Sequence, residues 1–342
     1  MIDYQKNILV KILLSLFLSI SVTTVNADSI NNRYHRRESR FSINNPPSLF
    51  PNFGLNSLAA LPTKTAESSV KESPILPSPS TMTSTQTKRL ISGLLLGTAI
   101  YGYSTWWNDS SSQFRIRHED WFGADTPNGG ADKLGHAYSF YVSTRMMTKS
   151  FQWVGHSQQQ AIQLAGITSA ALSVGVEVLD GFTEKYGFSP EDVVMNLTGI
   201  GTGIILEKYP YWDNLFDLRL KYWPSDDARR LNEYDPFTDY SGQTYLLITK
   251  ASGILPLRQN RWLRYLELAV GYGTRGYQPT DGTDSQPKER NFYYGLSVNL
   301  SQLFNEMLFK TNLKSSYTQL VTEQVLEYLQ MPGTALLFDN SL

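Results

Sequence analysis

The chain has 342 residues, a formal charge of −1 and no cysteine. The missing cysteine excludes disulfides, thiolate-bound zinc, a cysteine nucleophile and lipid attachment at a lipobox. The near-neutral charge argues against a nucleic-acid partner, whereas 13% aromatic residues suit interfaces and membrane boundaries, where Tyr and Trp are favoured.

The chain opens with a short polar start including Lys6, the apolar run ILVKILLSLFLSISV and then Val25-Asn26-Ala27. Small residues at both ends of that tripeptide fit signal-peptidase cleavage before Asp28, and the run is shorter than the ~20 residues of a comfortable span. Residues 1–27 are therefore expected to be a signal peptide. The expected location is the periplasm or outer membrane of a Gram-negative envelope, and not as a lipoprotein. Residues 28–87 follow, with a basic patch (Arg33, His35, Arg36, Arg37, Arg40) and then runs such as SPILPSPSTMTSTQT. Too little apolar surface is present to offset chain entropy, so a disordered Pro/Ser/Thr-rich tether is expected. The alternative is a basic arm on anionic lipid.

Residues 88–210 read as a bundle of four apolar helices. Leu90–Trp107 carries Gly93 and Gly97 at a spacing that permits close helix contact. The second runs from Asp132 to about Val154. The third runs from Ser157 to about Leu179 and the fourth from Ser189 to about Leu206, with Gly199 and Gly203 along it. The composition suits a bundle embedded in or docked on a membrane.

After Pro210, Tyr211–Pro236 reads as a polar, loop-like connection. Strands are expected at Gln243–Ala251, Trp262–Tyr272 and Asn291–Leu300, the last alternating apolar and polar positions. These are too few for a transmembrane barrel of at least ~8 strands. Residues 316–330 read as an amphipathic terminal helix stopped by Pro332-Gly333. The expected architecture is mainly α, in the α+β class. A four-helix apolar bundle (88–210) precedes a small antiparallel sheet with a C-terminal helix (211–331).

Chemistry-bearing residues gather in the bundle: Asp132, Lys133 and His136 on the second helix, Glu177 and Asp180 on the third, Asp192 and Asn196 on the fourth. Unpaired charges are costly among apolar helices, so these groups are expected to meet. Asp132 follows NGGA and suits an N-cap, whereas Ser189 and Pro190 form a start signal that capping explains outright. An exposed position would account for Asp180. A salt bridge to Lys133 or Arg145 would account for Glu177, and Arg145 itself is expected in an ion pair. His136 and Asn196 have no such simple account. Such a set would suit a divalent ion, with Asp132, His136 and Glu177 as candidate ligands. It would equally suit acid–base catalysis by His136 with Glu177 or Asp132, or a self-satisfied packing network. No HExxH, nucleophile elbow or phosphate loop is present.

The segments DKLGHAYSFYVSTRMM, GVEVLDGFTEKYGFSPEDVVMNLTGIGTG and YDPFTDYSGQTYLL resemble the YfiM-like family of periplasmic or outer-membrane proteins. The Asp-Lys-x-x-His start followed by Glu, Asp and Asn is also similar to the VanZ-like helical membrane proteins. The resemblance runs from about Trp106 to Leu247. It implies an envelope protein on a helical bundle and carries no established reaction. Asp132, Lys133, His136, Glu177, Asp180, Asp192 and Asn196 transfer as a candidate site only.

The leading expectation is an envelope protein whose bundle binds a lipid-like ligand around Lys133, His136, Glu177, Asp180, Asp192 and Asn196. The alternatives are a hydrolase or transferase acting on a lipid-linked substrate, and a structural scaffold. No cofactor is expected, with a divalent metal left open. The expected partner is lipid or the envelope membrane.

Overall fold

A computed structural model describes residues 81–107, 110–111, 113–231, 236–237, 239–277, 287–307 and 317–342. The expected signal peptide, and the expected tether up to residue 80, lie outside the described residues. The protein is an α+β structure in which a helical bundle precedes a five-stranded antiparallel sheet.

Helix α1 spans Thr81–Thr105 and begins ahead of the expected Leu90. Residues 81–87, read as tether, form its first turns because tertiary contacts hold this end. Thr87 Oγ1 lies 2.7 Å from His156 Nε2, and Leu90, Ile91 and Leu94 pack on a core of Met147, Phe151, Ala161 and Ala165. Gly93 and Gly97 do not mediate the close contact their spacing implied, since a Cβ built at either meets nothing within 4 Å.

Helix α2 (Ala131–Trp153) starts from a glycine turn, with Gly129 at φ 61° and Gly130 at φ 85°. These are left-handed conformations that L side chains rarely adopt. A Cβ on Gly130 would also fall 2.3 Å from Phe122. Gly130, not Asp132, is the N-cap residue. Asp132 lies in the first turn, where its carboxylate favours the positive end of the helix.

Helix α3 (Gln158–Asp180) begins with a capping box in which Ser157 Oγ accepts from Gln160 N and Gln160 Oε1 accepts from Ser157 N. Helix α4 (Pro190–Lys208) begins as the sequence implied, with Ser189 Oγ accepting from Asp192 N at 3.2 Å and Pro190 in the first turn. Helices α2 and α4 approach most closely at Gly199, where an added Cβ would lie 2.0 Å from the Ala137 carbonyl oxygen.

The stretch expected as a polar loop instead contains α5 (Pro210–Leu215), β1 (Phe216–Tyr222) and α6 (Asp226–Leu231). β1 escaped detection because its buried face carries charge. Asp217 and Arg219 point into the fold, with Arg219 bonded to Asp217 at 2.6 Å and to Glu267 at 2.8 Å. The remaining elements are β2 (Gln243–Lys250), α7 (Leu255–Gln259), β3 (Leu266–Arg275), β4 (Glu289–Val298), α8 (Leu300–Met307), α9 (Tyr317–Tyr328) and β5 (Ala335–Ser341). The strand expected from Trp262 starts only at Leu266, and β5 follows the helix expected to be terminal. The order is β1-β2-β3-β4-β5, with Leu218 opposite Leu247 and Leu268 opposite Leu296. Before becoming β5, the chain also bridges the far edge of the sheet: Leu329 pairs in parallel with Leu220, and Gln330 N donates to the Leu220 carbonyl.

Helix α2 joins the two layers. Its Tyr138 hydroxyl donates to the Tyr328 carbonyl at 2.6 Å, and its ring packs on Tyr245 of β2. Arg145 of α2 is buried and gathers Glu207, Asp213 and Glu327 at 3.0, 2.5 and 2.6 Å. The expected ion pair is thus a knot tying α2, α4, α5 and α9.

Candidate functional site

The polar cluster is assembled from α2, α3, α4 and the strand-like stretch before α2. That stretch is held against the α3–α4 turn by Arg115 N bonding the Gly181 carbonyl and Arg117 N bonding the Phe188 carbonyl, with Phe114 against Phe182. Its course delivers Glu119 to the amine of Lys133.

Lys133 is buried, with Nζ 2.7 Å from Glu119, 2.9 Å from Asp132 and 2.8 Å from Asp192. Burial pulls the ammonium pKa down, but Asp132, Asp192 and Glu119 outweigh it and hold Lys133 charged, above its usual range. The three carboxylate oxygens are close enough to hold a metal ion. The Lys133 ammonium already bonds all three.

Beside this ion cluster runs a second chain of contacts. Asn196, fully buried, donates from Nδ2 to Glu177 Oε1 at 3.1 Å and lies with Oδ1 3.0 Å from His136 Nδ1. The bond to Glu177 fixes which way the amide points, so its oxygen faces the imidazole and His136 Nδ1 carries a proton. Nε2 is the atom that gains or loses the second one, and it lies 3.7 Å from Asp192 Oδ2. Burial lowers the His136 pKa, yet the carboxylates of Asp192, Glu177 and Asp132 raise it to a net value above the ordinary one. Burial pushes Glu177 up to about 7, offset in part by His136, and pushes Asp180 up to about 6.

The sequence-predicted residues therefore divide. Asp132, Lys133, His136, Glu177, Asp192 and Asn196 converge. Asp180 sits one turn past Glu177, is half-buried instead of exposed, and accepts from Trp107 Nε1 at 2.6 Å. Glu177 bonds Asn196 and faces His136, in place of the salt bridge to Lys133 or Arg145 that its position suggested. Of the proposed metal ligands, His136 and Glu177 lie together with Asp192, all three ligand atoms within 4.8 Å of one another, whereas Asp132 belongs to the Lys133 side. Glu119 and Trp107 were missed: one lies in irregular chain and the other at a helix end, where no periodicity marks them. Among the converging groups on the helices His136 is the most open, with 27% of its side chain exposed against 1% for Glu177 and Lys133.

A family model described as a predicted periplasmic lipoprotein (DUF2279) matches residues 118–208. The match takes in α2, α3 and α4 and the whole Lys133–His136 cluster, and it supports an uncharacterised periplasmic domain over that span. No curated protein and no solved structure matches the chain. The family's description also corrects the expectation that the protein is not a lipoprotein. That expectation rested on the absence of cysteine alone, and it is withdrawn.

Proposed function

We propose that this is an envelope protein that lies against a lipid surface through the outer faces of α1, α3 and α4. In this reading it receives the polar head of an amphiphile at the His136 edge of its buried cluster. The observation that carries the docking is α3. It is 23 residues long and contains an 18-residue window of mean hydropathy 1.6, yet only 28% of that window is buried. Ile167, Val174, Val178 and Leu179 stand outward, joined by Leu96 and Ile100 of α1 and Val194 and Leu197 of α4. Apolar surface on this scale marks an interaction face. Docking fits better than spanning, because α2, at the centre of the bundle, carries Asp132, Lys133, Arg145 and Lys149. Within this reading we retain the YfiM-like resemblance, with the VanZ-like one weaker.

Flotation with phosphatidylethanolamine–phosphatidylglycerol vesicles tests the docking. The protein is expected to float with the vesicles, and the double variant Ile167→Glu, Val174→Glu to stay behind while keeping its helical circular dichroism. A wild-type protein that stays in the soluble fraction and carries no lipid by mass spectrometry would sink the reading.

A second reading rests on the close approach of His136, Glu177 and Asp192. With a divalent ion bound, these residues would support metal-assisted hydrolysis of a lipid-linked substrate. Elemental analysis of the purified protein, with His136→Ala and Glu177→Ala as controls, separates the two. Metal retained by the wild type and lost in both variants favours hydrolysis.

A further inference from the structure

A groove of about 520 Å³ lies at the other layer of the molecule, where the ends of β1 and β3 meet the start of α6. Three cations line it, Lys221, Arg275 and Arg229, of which Arg229 is paired with Asp226. Lys221 of β1 stands directly opposite Thr244 of β2, and Arg275 of β3 reaches the same residue with Nη2 3.3 Å from Thr244 Oγ1. Among the described residues Lys221 makes no hydrogen bond and no ion pair. Arg275 bonds neutral oxygens, including those of Gln243, Thr274 and Thr244, and lies over the Tyr293 ring. Glu289 lies opposite Arg275 in the strand register and forms no ion pair with it. The acidic residues at the groove are already matched: Asp226 by Arg229 at 2.6 Å and Asp227 by Arg230 at 3.6 Å. Partial burial, and after it the neighbouring Arg275 guanidinium, push the Lys221 pKa down.

The hydroxyls around this pair point to the same partner. Thr244 Oγ1 accepts from Arg275, Ser225 Oγ accepts from Ala228 N at 3.0 Å, and Ser241 Oγ accepts from Tyr277 N at 3.4 Å. All three residues are buried, and no acceptor takes their hydroxyl hydrogens among the described residues. Buried donors without acceptors are uncommon and call for an explanation. An ammonium, a guanidinium and three donating hydroxyls on one wall are a match for a group rich in anionic oxygens. Exposed Trp223 at the rim offers a surface for the less polar remainder of such a ligand.

We propose that this groove binds a phosphate ester, held by Lys221 and Arg275 with Thr244, Ser225 and Ser241 donating to its oxygens. The site is separate from the bundle cluster and stands whether or not the lipid-docking reading does. The ester is either a small soluble molecule or the headgroup of a lipid, and the test distinguishes them. Glycerol 3-phosphate is titrated calorimetrically into the full chain, with glycerol as control. In parallel, co-sedimentation is measured with phosphatidylcholine vesicles with and without phosphatidic acid. Lys221→Gln is the informative variant, because Lys221 forms no bond the fold depends on, and circular dichroism checks that the fold survives.

Binding of glycerol 3-phosphate that Lys221→Gln weakens at least about tenfold, and Lys221→Glu abolishes, supports a soluble ester. No soluble binding, but a phosphatidic-acid-dependent gain in sedimentation that Lys221→Gln removes, supports a headgroup. Absence of both, or binding that persists in Lys221→Glu, overturns the proposal.

Discussion

Asn196 holds Glu177 across the α3–α4 interface: its Nδ2 donates to a carboxylate that is 1% exposed, 3.1 Å away. The same amide presents its oxygen to His136, so one neutral side chain keeps an acid and a base apart and oriented. Asn196→Ala removes the only hydrogen bond that the Glu177 side chain receives from another side chain among the described residues. Glu177 keeps its backbone hydrogen bond from Ser189, so the loss is that of one bond to a buried carboxyl group, about 1–3 kcal/mol. Urea denaturation should show that loss with an unchanged m-value, and a loss under about 0.5 kcal/mol would mean that water replaces the amide.

The cluster's contribution to stability should fall as pH rises from 4.5 to about 7. Glu177 is raised from 4.5 to about 7 and Asp180 from 3.8 to about 6 in the folded state, so the native protein binds more protons than the unfolded chain across those windows. His136, raised from 6.5, contributes with the same sign just above that value. Each contribution is complete below the unfolded pKa and is lost as pH passes the folded one. For Glu177 alone the difference is on the order of 3 kcal/mol. Glu177→Gln should flatten the pH profile of the denaturation midpoint between pH 4.5 and 7, and an unaltered slope would count against the buried carboxylate as its source.

Arg145 is the sole cation within bonding distance of both Glu207 and Asp213 among the described ion pairs. Arg145→Met would leave Glu207 buried without the one cation it is paired with among the described ion pairs, at a cost of about 3–5 kcal/mol. Thermal unfolding should register a large drop in midpoint. A variant that melts within a few degrees of the wild type would show that the knot relaxes into solvent.

Glycines of α4 should separate sharply on substitution. Gly199→Ala puts a Cβ 2.0 Å from the Ala137 carbonyl oxygen, a backbone atom that cannot swing away. Gly201→Ala meets nothing within 4 Å and should stabilise the helix by roughly 0.5–1 kcal/mol. Paired denaturation curves check the contrast, and equal effects would contradict the close α2–α4 crossing.

The bundle was legible because its signals are local. Ser157 and Ser189 mark two helix starts, and Gly199 and Gly203 mark the face that meets α2. Convergence of His136, Glu177 and Asn196 was legible too, since polar groups in apolar helices need one another. Pairings within the cluster were not: the sequence suggested Glu177 as a partner for Lys133, whereas the fold supplies Glu119, Asp132 and Asp192. β1 was hidden because its inward positions, Asp217 and Arg219, are charged, which reverses the pattern used to recognise a buried strand. β5 was hidden for the opposite reason. Its Leu336 and Phe338 face outward, so no buried stripe sets it apart.

The bridge at Leu329 has a consequence for how the sheet comes into being. The stretch that seals the flank of β1 continues, a few residues on, into the strand that finishes the opposite flank beside β4. As the sheet assembles, β1 to β4 can pair in succession, but β4 lacks its outer partner and β1 its bridge at Leu220 until this one stretch arrives. The last partner of both flanks thus comes from one C-terminal stretch, and before it docks the edges of β1 and β4 are open to pairing with other chains.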